Sequence, residues 1–356
     1  MRPPTVTVLM SVFNGARYLE SAVRSILDQT FRDFEFVIIN DGSTDNSPDL
    51  LERFDDPRIR VIHTVNGGLA AALARGVDEA RGDYIARMDA DDLALPERLE
   101  TQVAYLQQHP DVGVADSDYA QIGPDDTELG VVVGRGFDEP FLIAWKLLWE
   151  NGICHPAVMM RRDVLTGHNI NYAPDSVVED YDLWTRMMFR TRFAHIPAVL
   201  LKYRSLSTGM TGSRDARQLY ATSQIQHRTV STLLGRTLDP AVGHSMALLS
   251  QQTTVRPGPE DILDTGALLE IVEDVRRTFA ASFGLSPSEQ SRVDAELARR
   301  LLDWALVLAR LPGRENGGTG MLMKRALTLD YSVVLDRRFS RNLLVRAFDR
   351  VRRDRP

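Results

Sequence analysis

A single cysteine, Cys154, stands in a chain of 356 residues. It has no partner for an internal disulfide, which fits a reducing compartment, and it excludes a cysteine-rich zinc site. Long apolar runs are missing too. No stretch has the uninterrupted length of a membrane span or signal peptide, and Met1-Arg2-Pro3-Pro4 leads straight into a strand-like run. The expectation is a cytoplasmic protein. Excess positive charge is absent: 42 Lys and Arg against 49 Asp and Glu leave a formal net charge of -7, which argues against a chain built to coat nucleic acid. Glycine-rich phosphate cradles are lacking as well. Neither G-x-G-x-x-G nor G-x-x-x-x-G-K-[ST] follows a strand-like run, so a dinucleotide or P-loop reading has no anchor for its phosphates.

What is present is a hydrophobic content of 44%, enough for one large domain and a smaller one. The first 115 residues alternate in pattern. Thr5 to Val12 reads as a strand, and Tyr18, Leu19, Ala22, Val23, Ile26 and Leu27 recur with helical spacing. Strand Phe34 to Ile39, a short helix opened by Ser47-Pro48, strand Arg58 to His63 and helix Leu69 to Ala80 follow. Next come the run Asp83 to Met88, a helix Glu97 to Gln108 with Pro96 at its first position, and a buried strand Val112 to Ala115. This order predicts an α/β fold with a mostly parallel central sheet between helices. In open sheets of this kind ligands bind beyond the carboxyl ends of the strands. Three polar clusters fall at such ends: Ser11 to Asn14, Asn40 to Asp45, and Asp89 to Asp92.

The last cluster, Asp89-Ala90-Asp91-Asp92, carries metal chemistry if it carries any. Carboxylates at i and i+2 on a strand project to one side, so Asp89 and Asp91 are expected to reach one hard cation. Oxygen-only ligation suits Mg2+ or Mn2+ rather than zinc. A solvated acidic turn is the plain alternative. A calcium loop starting at Asp89 is excluded, because its fifth position is Leu93 and its turn glycine is replaced by Ala94.

Taken together, Ser11-Val12-Phe13-Asn14, Ser25-Ile26-Leu27-Asp28-Gln29-Thr30, Asn40-Asp41-Gly42-Ser43-Thr44-Asp45, Gly82-Asp83-Tyr84-Ile85 and the acidic tetrad resemble a family 2 glycosyltransferase of the GT-A fold. The likeness continues through His155-Pro156-Ala157-Val158-Met159 and Glu179-Asp180-Tyr181-Asp182-Leu183-Trp184. Each motif alone is weak, and their shared order and spacing carry the resemblance. It implies transfer of a sugar from a nucleotide diphosphate donor, with a divalent metal and inversion at the anomeric carbon. It also assigns roles. Asp41 would accept from a base imide, which favours a UDP- or dTDP-sugar, with Ser11, Phe13 and Asn14 beside the nucleotide. Asp91 would hold the metal, and Asp89 the metal or the ribose, with Asp92 as a helper. Asp180 would be the general base, with Glu179 the other candidate, while His155 and Arg204 would lie on the acceptor or phosphate side.

Several positions keep a second reading. Asp41 fits a turn or cap, Phe13 fits the core, and Asp180 fits an N-terminal helix cap. Trp184 shares an apolar helical face with Leu183 and Met187 and reads better as core than as a stacking platform. Asn40 and Phe13 replace residues that are often aspartate and tyrosine in the family. Leu206 stands where many relatives carry a histidine, which leaves phosphate charge to Arg204 or Lys202.

Beyond residue 213 the pattern turns helical. The expected organisation is a catalytic domain over 1–213, a helical region over 214–311, a glycine-rich linker over 312–320 and a basic tail over 321–356. Candidate helices are Ala216 to Leu234, Pro259 to Phe283 and Ser288 to Leu311, with a cap-like start at Ser286. In the tail, Leu343, Leu344, Ala347, Phe348 and Val351 interleave with arginines. They predict an amphipathic helix for anionic lipid, packing against the enzyme being the alternative. The expectation is a metal-dependent glycosyltransferase acting on a glycan or lipid-linked acceptor, peripheral to the inner membrane face. A sugar nucleotidyltransferase and a noncatalytic nucleotide-sugar binding scaffold are the alternatives.

Overall fold

The computed structural model describes residues 2–134, 139–206, 216–250, 262–309, 317–330 and 332. The chain divides into two compact units, Met1–Ala221 and Thr222–Pro356.

The first unit is built on β1 (Val6–Val12), whose residues are almost all buried. A strand apolar on both faces belongs in the middle of a sheet covered on both sides. It pairs in parallel with β2 (Phe34–Asp41) and β4 (Tyr84–Asp89), and β2 pairs in parallel with β3 (Ile59–Thr64). The connecting helices are α1 (Ala16–Leu27), α2 (Ser47–Leu51) and α3 (Leu69–Glu79). Helix α1 buries Leu19, Ala22, Val23 and Ile26, an i, i+3, i+4, i+7 stripe. Helix α3 approaches β1 so closely that a Cβ on Gly76 would meet Leu9 Cδ1 at 2.0 Å, so a larger residue there would force the Leu9 side chain to move.

After β4 the pattern departs from simple alternation. A short β5 (Leu93–Ala94) precedes α4 (Arg98–Gln108), so Pro96 lies before the helix rather than at its first position. Strand β6 runs from Val112 to Ile122, well beyond the four residues expected, and turns into β7 (Glu128–Val132). Helix α5 (Pro140–Leu147), a 3-10 turn (His155–Ala157), β8 (Met159–Arg161), α6 (Arg162–Gly167), α7 (Glu179–Met187) and β9 (Arg192–Arg204) complete the unit. The sheet order is β3-β2-β1-β4-β8-β6-β9-β5, with β7 beside β6. β8 runs antiparallel to both β4 and β6, whereas β6 and β9 are parallel. One core joins the two halves: Val8, Met10, Ala86, Met88, Leu99, Ala115, Met159 and Leu201 are each buried in it.

The second unit is helical. Helix α8 (Ala216–Leu234) runs across the boundary, followed by α9 (Pro240–Ser250), α10 (Thr265–Ser282), α11 (Pro287–Leu308) and α12 (Gly317–Leu329). Ser286 caps α11 as its sequence suggests, accepting from Glu289 N at 3.4 Å while Glu289 Oε2 accepts from Ser286 N at 2.8 Å. Helix α9 gave no periodic signal because Val242, Ser245, Met246, Ala247, Leu248 and Leu249 are buried all round it. The glycines from Gly317, read as part of a linker, open α12. The tail beyond 332 lies outside the described residues. Among those described, no helix is long and apolar enough to cross a membrane.

Candidate active site

Register brings the three polar clusters to one edge of the sheet. Ser11 stands opposite Ile39 of β2 and Asp89 of β4, and Val12 stands opposite Asn40. The expected convergence at the carboxyl ends is therefore a property of the sheet. Asn14, at φ 52°, ties two of the clusters. Its Oδ1 accepts from Thr44 N at 2.8 Å and from Asp45 N at 3.3 Å, and its own N–H donates to Ser43 Oγ at 3.0 Å. Asn40 is likewise occupied, against His63 Nδ1 at 2.9 Å. Phe13 is 52% exposed and so is not core. Ser11, two residues before it at the end of β1, is half-buried.

Asp41 is buried and well supplied with donors. Gly67 N donates to Oδ1 and Gly68 N to Oδ2, each at 2.9 Å, and Thr64 Oγ1 approaches Oδ1 at 3.3 Å. The carboxylate thus organises the loop between β3 and α3 instead of capping a helix with its own backbone. About four lone-pair sites belong to a carboxylate, so one remains for another donor.

The acidic tetrad is a turn, not a strand. Only Asp89 belongs to β4; Asp91 and Asp92 follow it before β5. Strand alternation is therefore not what gathers them, yet Asp89, Asp91 and Asp92 each present an oxygen within 4.8 Å of the others. Burial, and then the charge of Asp89, raises Asp91 to about 6. Asp92 is pushed up by the same causes with Asp91 added, and its buried Oδ2 has no partner among the described residues. Crowded carboxylates with an orphaned buried oxygen form a donor set that fits a hard divalent cation.

Two arginines hold this turn. Arg204, at the end of β9, donates its N–H to Asp92 Oδ1 and its Nε to the Asp91 carbonyl, each at 2.7 Å. Its Nη1 meets the Gly123 carbonyl at 2.9 Å and Asp126 Oδ1 at 2.6 Å. The guanidinium expected on the phosphate side is thus spent on the protein. Lys202 stands 3.7 Å from Glu128. Arg87, buried within β4, pairs with Asp89 at 2.5 Å. Burial alone would lower it, but Asp89 and then Tyr172 and Glu179 outweigh that and keep it charged.

Glu179 and Asp180 open α7 within the range of Arg87. The N-cap of that helix is Val178, with no side-chain capping bond, so the capping alternative for Asp180 is set aside. Instead Asp180 Oδ2 accepts from Asn151 Nδ2, and Oδ1 from Tyr181 N, each at 2.7 Å. Burial raises its pKa against these two bonds. Glu179 is raised to about 7, by burial first and Asp180 second. His155 lies behind them, its Nε2 2.8 Å from Tyr172 Oη and its Nδ1 3.7 Å from Glu179. Burial, and then Arg87, holds it well below the usual histidine range, so it is neutral. Trp184 is wholly buried and belongs to the core.

Sequence reasoning missed Arg87, Tyr172 and Asn151. It also missed a second cluster, in which His195 of β9 lies between Asp116 at 2.8 Å and Asp118 at 3.0 Å on β6. For Arg87, Asp116, Asp118 and His195, polar groups inside apolar strand runs were the available signal, since burying a charge requires a partner; Tyr172 and Asn151 lie in loops and gave none.

Residues 7–167 match the family described as Glycosyl transferase family 2. An uncharacterized glycosyltransferase of Haemophilus influenzae is 30% identical over 259 residues, covering 69% of this chain and 80% of that one. The O-antigen biosynthesis glycosyltransferase WbnJ of Escherichia coli is 30% identical over 212 residues, 56% of this chain and 79% of that one. Among solved structures, S. aureus TarS 1–349 in complex with UDP-GlcNAc superposes with a TM-score of 0.56 at 16% identity, covering 92% of this chain and 91% of that one. That likeness concerns the fold. With the sheet order, the acidic turn and these relatives in agreement, the chain belongs to glycosyl transferase family 2.

Proposed function

We propose that the protein is a metal-dependent, inverting glycosyltransferase that moves a sugar from a UDP- or dTDP-sugar to a hydroxyl of a surface polysaccharide or lipid-linked glycan. One observation carries this reading: Arg87 interacts at once with Asp89 of the acidic turn and with Glu179 and Asp180 of α7. On this reading the acidic turn is the cation-and-phosphate end of the site and the acidic pair of α7 is its proton-accepting end, with the buried charge of Arg87 in reach of both.

On this reading Asp91 and Asp89 hold Mn2+ or Mg2+, with the orphaned Oδ2 of Asp92 as a further ligand. The bound ion supplies electrostatic stabilisation for the charge that grows on the departing diphosphate. Asp41, with one lone pair to spare, accepts from the imide N–H of uracil or thymine. Phe13 stacks on the base beside Ser11 and Asn14. Asp180, oriented by Asn151, takes the proton from the acceptor hydroxyl as its oxygen attacks the anomeric carbon. The bond to the diphosphate breaks on the opposite face, and the electron pair leaves with the nucleotide. Glu179, raised to about 7, keeps part of its proton near neutrality and so limits repulsion beside Asp180. The basic tail is assigned to anionic lipid at the membrane that carries the acceptor.

The test is a thermal-shift screen of UDP-, dTDP- and GDP-sugars with and without Mn2+. A uridine or thymidine donor should stabilise the fold by about 2.7 kcal/mol near a hundredfold excess over Kd, and only with the ion present. Stabilisation that ignores the ion, or none from any nucleotide sugar, would overturn the reading.

A further inference from the structure

A cavity of about 90 Å³ lies between β6, β9, β7 and the segment Asn151–Cys154, and no residue of the acidic turn lines it. We propose that this cavity, walled by Asp116, Tyr119, Val132, Asn151 and His195, is the acceptor subsite, where a pyranose donates its hydroxyls to Asp116. The proposal rests on the glycosyltransferase reading above and adds to it the place and chemistry of the second substrate.

Asn151 supplies the position. It lines the cavity, and its Nδ2 donates to Asp180 Oδ2 at 2.7 Å. A hydroxyl-bearing ligand seated there therefore borders the carboxylate assigned to its deprotonation. Asp116 supplies the recognition. It is only 6% exposed, yet beyond its bond to His195 at 2.8 Å its other oxygen meets, among the described residues, only Cys154 N, at 3.5 Å. A bond of that length is marginal. A carboxylate has about four lone-pair sites, and leaving them unfilled in a buried place is costly. Sugar hydroxyls are donors of the right kind.

The carboxylate is also held still. His195 uses both ring nitrogens, the second on Asp118 at 3.0 Å, and Asp118 Oδ1 in turn accepts from Gly134 N at 2.6 Å. Asp118 and His195 are positioning residues, and Asp116 touches the ligand. Tyr119, a lining residue held beside Tyr203 at 5.5 Å between ring centroids, gives the cavity an aromatic wall. Aromatic walls with a few convergent polar groups are the usual composition of small-molecule sites. A space of this size takes the hydroxyl-bearing edge of one sugar residue and has no room for a nucleotide.

The test is saturation-transfer NMR on the full chain with UDP and Mn2+ bound, using methyl glycosides of glucose, galactose and N-acetylglucosamine as probes. At least one should give signal with the wild type. Asp116→Asn should reduce that signal at least tenfold, and His195→Gln should weaken glycoside affinity severalfold, with UDP affinity within twofold in both. Val132→Trp fills the cavity without touching buried charge, so it decides the matter if Asp116→Asn fails to fold. Normal UDP binding with no glycoside signal, or signal that survives both Asp116→Asn and Val132→Trp, would overturn the subsite alone. Failure of UDP to bind the wild type would instead remove the donor reading, and the subsite with it.

Discussion

The backbone N–H of Arg204 donates to Asp92 Oδ1 at 2.7 Å, while Arg204 Nε donates to the Asp91 carbonyl at the same distance. One residue of β9 thus grips two consecutive residues of the acidic turn. Arg204→Lys keeps the charge and the backbone bond but loses the planar fork that reaches the Asp91 and Gly123 carbonyls together. The turn should loosen, and Mn2+ affinity in the presence of UDP should fall about tenfold, near 1.4 kcal/mol. Titration followed by electron paramagnetic resonance measures it; unchanged affinity would mean that the turn is held by something else.

Asp91, raised to about 6 by burial and Asp89, makes metal binding sensitive to mild acid. A protonated carboxyl is not a ligand, so binding the ion must displace the proton. Metal-dependent stabilisation by UDP should therefore be complete above pH 7 and decline as pH falls through about 6. Asp91→Asn should abolish it at every pH, and chelation should do the same to the wild type. Thermal shifts at pH 5, 6, 7 and 8 measure all three.

Glu179 sets a second pH dependence of opposite sense. Its pKa is about 7 in the fold against an ordinary 4.5, so between those values the folded chain binds more protons than the unfolded one. Stability then falls as pH rises from about 4.5 to 7. Glu179→Gln mimics the protonated form and should remove that slope. Relative to wild type it should gain about 3 kcal/mol at pH 8 and nothing at pH 4. Urea denaturation at the two pH values measures the difference, and equal offsets at both would refute it.

Gly82 permits β4 to enter the sheet beside β1. A Cβ there would sit 2.4 Å from Thr7 N and 2.6 Å from Val6 C, both backbone atoms that cannot rotate away. Gly82 N also donates to Thr7 Oγ1 at 2.9 Å. Gly82→Ala should cost about 3 kcal/mol through overpacking, read as a lowered denaturation midpoint. A neutral result would show that β4 shifts freely.

Much of this arrangement was legible in the chain. β1, β2 and β4 announced themselves because both faces are buried, so their apolar runs are nearly continuous, and their polar ends marked the crevice. The geometry of the acidic cluster was read for the wrong reason: Asp91 and Asp92 come together with Asp89 through a turn pinned by Arg204, a contact 112 residues apart that no local pattern encodes. Arg87 and the Asp116–His195–Asp118 set were invisible for a related cause. Arg87 is a buried charge whose partner, Asp89, lies two residues on in the same strand, and His195 of β9 pairs with Asp116 and Asp118 of β6, so only the fold shows that each charge is buried and paired. The antiparallel turn of β8 between β4 and β6 was equally hidden, because three residues are too few to show a period.

Asn151 offers the sharpest test of the assignment of Asp180. Its Nδ2 stabilises the ionised carboxylate at 2.7 Å and offsets part of the burial that raises the pKa. Asn151→Ala removes that donor, so the carboxylate should protonate at higher pH. A general base works only when deprotonated, and the acidic limb of the rate profile should therefore move upward. Hydrolysis of the donor sugar, with water in place of the acceptor, provides the assay. The variant should show an acidic limb raised by about one pH unit, as expected for about 1.4 kcal/mol of lost stabilisation, with the KM for donor unchanged. Asp180→Asn should abolish hydrolysis while leaving donor binding intact. If Asp180→Asn still turns over and Glu179→Gln does not, the base is Glu179 and the limb should not respond to Asn151→Ala.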